Sequence, residues 1–151
     1  MIPAIPGLRF QAVHSLDVAD AYVRAIVQEA SGAFNVAADP VLDPGELARH
    51  FGAVKLPVAP RAARAVTDLS WRLHLQPTPA GWVDLALGVP VMDCSRARNE
   101  LGWSPRRTSL EALDDLLDGL RHARGEALPP LEPSRPGRGR QLATGVGTRR
   151  E

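Results

Sequence analysis

Three short sequence patterns lie where short apolar runs meet segments whose apolar residues recur at helical spacing. They are Val13–Ala19 (VHSLDVA), Gly32–Ala37 (GAFNVA) and Asp93–Pro105 (DCSRARNELGWSP). Around them, short apolar runs typical of strands alternate with segments whose apolar residues recur at helical spacing. This alternation predicts an α/β fold, made mostly of helices with two or three short strands.

The first pattern leads into a helix that we predict from Leu16 to Ala30. Its apolar residues form one stripe, and its charged residues lie on the opposite face. Ser15 is the expected N-cap, Asp17 places negative charge in the first turn, and Gly32 is expected to end the helix. Tyr22 lies within the stripe, so its ring is expected to pack against the core.

The same signals predict further helices along the chain. Their expected spans are residues 44–51, 61–75, 82–87, 94–101 and 109–124. Asp43 is the expected cap of the first of these helices and Asp93 of the fourth. Thr108 and Glu111 have the spacing of a capping box at the start of the last helix.

Strands are predicted at residues 9–14, 33–37 and 55–58. The 33–37 run is apolar except for Asn35, which is typical of a strand buried on both faces in a parallel sheet. The 9–14 run alternates too briefly to be more than suggestive.

The composition of the chain changes at Glu126. Residues 126–151 are rich in proline, glycine and arginine and contain few large apolar groups, so we expect this tail to be disordered. Residues 1–8 are expected to form an N-terminal extension, which leaves residues 9–125 as one partial domain.

Net charge, aromatic content and cysteine count limit the kinds of partner and the cellular compartment that we expect. The net charge is +1, and aromatic residues make up 5% of the chain, so no nucleic-acid partner is expected. Cys94 is the only cysteine, which excludes an internal disulfide and fits a reducing, cytoplasmic setting. We see neither a signal peptide nor an apolar stretch that would span a membrane, and we expect no membrane partner.

In order and spacing the three patterns resemble the C-terminal part of NAD(P)-dependent epimerase/dehydratases, the extended short-chain dehydrogenase/reductases. The resemblance covers about residues 9 to 124. It implies the substrate-side portion of an extended Rossmann-type dehydrogenase, in which the first pattern joins a strand to a helix beside the substrate cleft. The second pattern would form an edge strand of the nucleotide-binding sheet. The substrate-cleft residues that the resemblance suggests are His14, Asp17 and Asn35.

The chain lacks the nucleotide-binding half of that family, which carries a Gly-x-x-Gly-x-x-Gly loop and a Tyr-x-x-x-Lys pair. Its one tyrosine, Tyr22, and one lysine, Lys55, are far apart, and Ile26 stands where the pair would need lysine. We therefore predict no catalytic and no cofactor-binding residues in this chain, although the parent family uses NAD or NADP. Phe10 stands where sugar-nucleotide epimerases often place arginine, which argues against a nucleotide-sugar substrate. A smaller or more apolar carbonyl or hydroxyl compound is at least as well supported as the substrate.

A structural role competes with a functional one for the candidate residues. His14 could satisfy a backbone group, and Asp17 could support the start of its helix. His50, His74 and His122 lack ligand spacing, so we predict no metal site. The carboxylates of Asp114, Asp115 and Asp118 are expected to form a solvated helix face.

Two classes of function remain open from the sequence. In the first, the chain is a truncated or split epimerase/dehydratase that contributes substrate-cleft residues and does not catalyse alone. Its partner would then be the missing N-terminal half or a second copy, and its substrate a small molecule. In the second, it is a non-catalytic binding or interaction module derived from that family.

Overall fold

The computed structural model of the protein describes residues 1–76 and 78–122, which form six helices and two short strands. In chain order these are β1 (Ile2–Ala4), α1 (Ser15–Val27), α2 (Pro44–His50), β2 (Lys55–Pro57), α3 (Pro60–Arg72), α4 (Gly81–Gly88), α5 (Ser95–Glu100) and α6 (Ser109–Arg121). The predicted mixed α/β class, mostly helical with short strands, is therefore confirmed. The predicted tail, residues 126–151, lies outside the described residues.

The two strands pair in parallel, with Ile2 opposite Lys55 and Ala4 opposite Pro57. A parallel pair needs a crossover connection, and here α1 and α2 lie within it. Helix α2 contacts both strands, and α3 packs against α4. Strand β2 confirms the strand predicted at 55–58, whereas β1 was not predicted, because three residues are too few for a periodicity to be read.

Helix α1 begins and ends earlier than its sequence pattern predicted. His14, not Ser15, is the N-cap residue, because the imidazole Nδ1 accepts a hydrogen bond of 3.1 Å from the backbone N–H of Leu16. The helix ends at Val27, and Glu29 adopts a left-handed φ of 51°. Gly32 was therefore wrong as the helix terminator.

The caps of two other helices were predicted correctly. The carboxylate of Asp43 accepts from the backbone N–H groups of Gly45 and Glu46 at 2.6 and 2.8 Å. Thr108 and Glu111 form the predicted capping box of α6. The backbone N–H donors of the first turn have no partner inside a helix, so these side chains satisfy them directly.

Two predicted strands are wrong. Residues 9–14 form only an isolated bridge, in which Phe10 and Leu42 exchange backbone hydrogen bonds of 3.0 and 2.8 Å. Residues 33–37 are not a strand, because the backbone groups of Phe34, Asn35 and Val36 have no hydrogen-bond partner among the described residues. A strand exists only through its pairing, and no neighbour within the described chain supplies it.

Trp103 lies at the centre of the largest buried cluster. It is 1% exposed and packs with Ala21 of α1, Ala97 of α5 and Leu101. Tyr22 does not join this core: it is 68% exposed, so the expectation that its ring packs inside was wrong. The apolar stripe of α1 is wider than the surface available to cover it.

No helix in residues 1–76 and 78–122 is long and apolar enough to cross a membrane.

Candidate functional site

His14 and Asp17, two of the predicted cleft residues, lie together at the N-terminal end of α1. Asp17 is 4% exposed. Its carboxylate Oδ2 accepts from the backbone N–H of Arg107 at 3.2 Å, and its own carbonyl accepts from the indole N–H of Trp103 at 2.8 Å. Both hydrogen bonds tie the start of α1 to the segment that precedes α6.

The guanidinium of Arg107 and the carboxylate of Asp115 complete what we call the His14 cluster: His14, Asp17, Arg107 and Asp115. Arg107 Nη1 contacts Nε2 of His14 and donates to Asp115 Oδ2 at 3.2 Å. The distance from His14 Nε2 to Asp115 Oδ2 is 3.4 Å. The start of α1, the segment that precedes α6 and the first turns of α6 place these groups.

The hydrogen bonds of the His14 cluster limit its chemistry. Nδ1 of His14 accepts from the backbone N–H of Leu16, and Nε2 lies against both the guanidinium of Arg107 and the carboxylate of Asp115. Both ring nitrogens therefore already have partners within the chain. The described geometry therefore supports the structural role for His14 and Asp17, in which they join α1 to α6.

Asn35, the third predicted cleft residue, lies in a different contact. Its amide Nδ2 donates to the backbone carbonyl of Asp93 at 3.1 Å. Among the described residues its amide contacts no member of the His14 cluster. The structure therefore brings two of the three predicted residues together and leaves the third at the segment before α5.

Arg96 is a residue that the sequence analysis missed. Its guanidinium donates to the carbonyls of Ala33 and Ser31 at 2.9 and 3.0 Å, and its Cζ lies 4.3 Å from the ring centroid of Phe34. Glu100 accepts a hydrogen bond from Arg96, which raises the pKa of the arginine and lowers the pKa of Glu100. No local pattern could identify this contact, since more than 60 positions separate Arg96 from the carbonyls it binds.

Asp114 and Asp115 of α6 are exposed, as the predicted solvated face requires, and each also contacts a basic side chain. Asp115 pairs with Arg107, and Asp114 lies 2.8 Å from Nε2 of His50. Asp93 was wrong as the N-cap of α5, because Cys94 holds that position and makes no side-chain cap hydrogen bond. Asp93 lies one residue earlier and accepts from the backbone N–H and the hydroxyl of Ser95, which lowers the pKa of Asp93.

The described surface has several open grooves. One of about 330 Å³ lies between α1 and residues 30–36 and is lined by residues that include Ala21, Ala25 and Leu101. A second of about 400 Å³ lies between α3, α4 and Leu8. A third, about 340 Å³, is bordered by Arg98 and residues 104–108. Within residues 1–76 and 78–122, no three His, Cys, Asp or Glu side chains are grouped so that they could hold a metal ion.

The strand-to-helix turn that the structure contains does not suit a dinucleotide. Residues Val58 and Ala59 connect β2 to α3, and the helix begins at Pro60, so this turn has no glycine. A phosphate cradle needs glycines there for the backbone N–H groups to approach the pyrophosphate. This turn therefore does not provide the phosphate cradle of a dinucleotide site.

Comparison with known proteins finds uncharacterized relatives in mycobacteria. The chain is 32% identical over 134 residues to an uncharacterized protein of Mycobacterium bovis and, with the same figures, to one of Mycobacterium tuberculosis. The match covers 87% of this chain but 34% of each relative, so the chain spans about a third of the length of the curated relatives it matches. No protein-family model matches the chain, and no solved structure matches it significantly.

Proposed function

We propose that this chain is the substrate-side, C-terminal part of an extended short-chain dehydrogenase/reductase of the NAD(P)-dependent epimerase/dehydratase type. In this role it contributes residues to a substrate cleft. The glycine-rich loop and the Tyr-x-x-x-Lys pair come from residues outside this chain, and the substrate is a small carbonyl or hydroxyl compound.

The observation that carries the proposal is the mutual contact of the three sequence patterns. Trp103 of the third pattern donates to the Asp17 carbonyl of the first, 86 positions away. Asn35 of the second pattern donates to the Asp93 carbonyl of the third, 58 positions away. Patterns inherited from one ancestral fold are expected to meet in this way, whereas unrelated short matches have no reason to.

The chemistry assigned to the chain is limited to binding and positioning. A proton donor for the substrate oxygen would need a tyrosine activated by a lysine one helical turn away. Tyr22 lies exposed on α1 with Ile26 one turn later, and Lys55 lies in β2. What this chain offers instead is one side of the cleft, in which the His14 cluster joins the start of α1 to the start of α6.

The lengths of the mycobacterial relatives support the proposal. About two thirds of each relative lies outside the match. A nucleotide-binding half of the kind proposed would fit within that unmatched length, since a Rossmann-type unit takes roughly 100–200 residues.

The test is reconstitution of nicotinamide binding. The DNA upstream of the Met1 codon is sequenced, and the polypeptide it encodes is co-expressed with this chain. We expect that polypeptide to carry a glycine-rich loop and Tyr-x-x-x-Lys. We also expect NAD or NADP to raise the melting temperature of the pair while leaving this chain alone unchanged.

Two results would overturn the proposal. One is clear stabilisation of the isolated chain by NAD or NADP, because the cofactor site would then lie within it. The other is an upstream sequence without either motif, combined with cooperative unfolding of the chain as a monomer. That combination would favour the non-catalytic interaction module.

A further inference from the structure

Helix α1 exposes a continuous set of large apolar side chains, which we call the α1 apolar face. Its members are Leu16 (65% exposed), Tyr22 (68%), Val23 (58%), Ile26 (74%) and Val27 (76%). Monomeric proteins seldom expose contiguous apolar patches of more than a few hundred Å² unless another molecule covers them.

The side of α1 that faces the rest of the chain carries polar side chains together with the small residue Ala21. Arg24 Nη1 donates to the Gly102 carbonyl at 2.8 Å, and the Gln28 amide donates to the Leu101 carbonyl at 3.1 Å. Asp17, at the start of the helix, is buried. A surface helix of a complete globular protein turns its apolar stripe inward and its polar residues to solvent. Helix α1 buries Asp17 and Ala21 while its large apolar residues stay exposed, so these apolar residues are accessible to a covering element.

A groove continues the α1 apolar face. It lies between α1 and residues 30–36, has a volume of about 330 Å³, and is lined by small residues together with Tyr22 and Phe34. The backbone groups of Phe34 and Val36 make no hydrogen bond within the described part of the chain. A covering element would therefore meet both an apolar depression and unpaired backbone groups, which favour a partner segment that can form main-chain hydrogen bonds.

We propose that the α1 apolar face and this groove are the docking surface for the polypeptide that corresponds to the unmatched two thirds of the mycobacterial relatives. The inference rests on the proposed function and deepens it by naming where the two parts meet. The length of the relatives favours this polypeptide as the occupant over a second copy of the chain. In the relatives, chain of about twice the matched length is available to cover the same face.

The experiment measures the affinity of this chain for the upstream-encoded polypeptide by calorimetry. Ile26→Asp places a charge at the centre of the α1 apolar face, and Ile26→Ala removes only side-chain volume. Leu69→Asp is the matched control, because Leu69 is a 59% exposed apolar residue on α3. Circular dichroism and melting temperature verify that each variant is folded.

We expect Ile26→Asp to weaken binding by about ten-fold or more, the loss typical of a buried interface anchor. Ile26→Ala should weaken it less, and Leu69→Asp should leave it within about two-fold of the wild-type value. Equal losses in Ile26→Asp and Leu69→Asp, or no loss in either, would overturn the proposal. A dimer of this chain alone that Ile26→Asp dissociates would also overturn it, in favour of a second copy.

These outcomes separate the docking surface from the proposed function. A complex that depends on Ile26 but binds no NAD or NADP supports the docking surface and overturns the proposed function. A complex that binds the cofactor and is insensitive to Ile26→Asp overturns the docking surface alone.

Discussion

The indole N–H of Trp103 donates a 2.8 Å hydrogen bond to the backbone carbonyl of Asp17. Trp103 is 1% exposed and Asp17 is 4% exposed, so both partners are shielded from water. The bond joins the first turn of α1 to the segment between α5 and α6. It therefore fixes the relation between the elements that hold the His14 cluster.

Trp103→Phe is expected to destabilise the protein by about 0.5–1.5 kcal/mol, since the buried Asp17 carbonyl loses the indole donor but keeps its bond within α1. Trp103→Ala should cost more, roughly 3–5 kcal/mol, because it also leaves a cavity. Urea denaturation followed by circular dichroism measures both. Trp82→Phe is the control: Trp82 is 60% exposed, and its replacement should change stability by about 0.5 kcal/mol or less. Similar losses for Trp82→Phe and Trp103→Phe would contradict this account.

Asp17→Ala is expected to lower the free energy of unfolding by about 1–3 kcal/mol, because the backbone N–H of Arg107 loses its acceptor. Asp84→Ala supplies the comparison, since Asp84 forms an exposed pair with Arg64. Such surface pairs contribute about 1 kcal/mol or less. If Asp17→Ala left the unfolding midpoint unchanged, the structural role assigned to Asp17 would be wrong.

Gly32→Ala is expected to be more destabilising than Gly7→Ala. Both glycines have left-handed φ angles, +93° and +85°. A Cβ at Gly32 would lie 2.8 Å from Arg96 Nη1, whereas a Cβ at Gly7 would meet nothing within 4 Å. In both variants a side chain in the left-handed conformation costs roughly 1–2 kcal/mol. The difference in stability between the two variants therefore measures the contact with Arg96. Equal melting temperatures for the two variants would show that Arg96 moves aside freely.

Acidification is expected to weaken the start of α6. The backbone N–H of Thr108 donates to Glu111 at 2.7 Å, and the Thr108 hydroxyl donates at 2.9 Å. These bonds lower the pKa of Glu111 in the folded state. Because the pKa of Glu111 is lower in the folded state, its carboxylate stabilises the protein fully above the unfolded pKa of about 4.3. That contribution is lost as the pH falls through the pKa of the folded state.

The measurement is the melting temperature between pH 7 and 3 for the wild type and for Glu111→Gln. Glu111→Gln removes the titration, so its melting temperature should fall less steeply below about pH 5 than that of the wild type. Parallel pH profiles for the two proteins would contradict the assignment.

Local signals predicted the features that depend on neighbouring residues. The caps at Asp43 and at Thr108 with Glu111 involve partners two or three positions away, so their residue types were enough to identify them. The candidate site was less predictable. Arg107 and His14 are 93 positions apart, and no pattern in either segment indicates that they meet.

Strand pairing and burial were the features that the sequence could not settle. Residues 33–37 have the composition of a buried strand, but pairing depends on a neighbour that the described chain does not contain. Tyr22 fits a helical apolar stripe, and periodicity alone does not say how much of a stripe is covered. Both errors concern the same region of the molecule, the α1 apolar face and its groove.

The parallel pairing of β1 with β2 has a kinetic consequence. Helices α1 and α2 both lie between the two strands, so the strands meet only after a long loop has closed. Contacts of such high sequence separation slow folding, because the loss of chain entropy precedes the gain from pairing. Strand β1 is therefore expected to be among the last elements to acquire protection from hydrogen exchange during refolding.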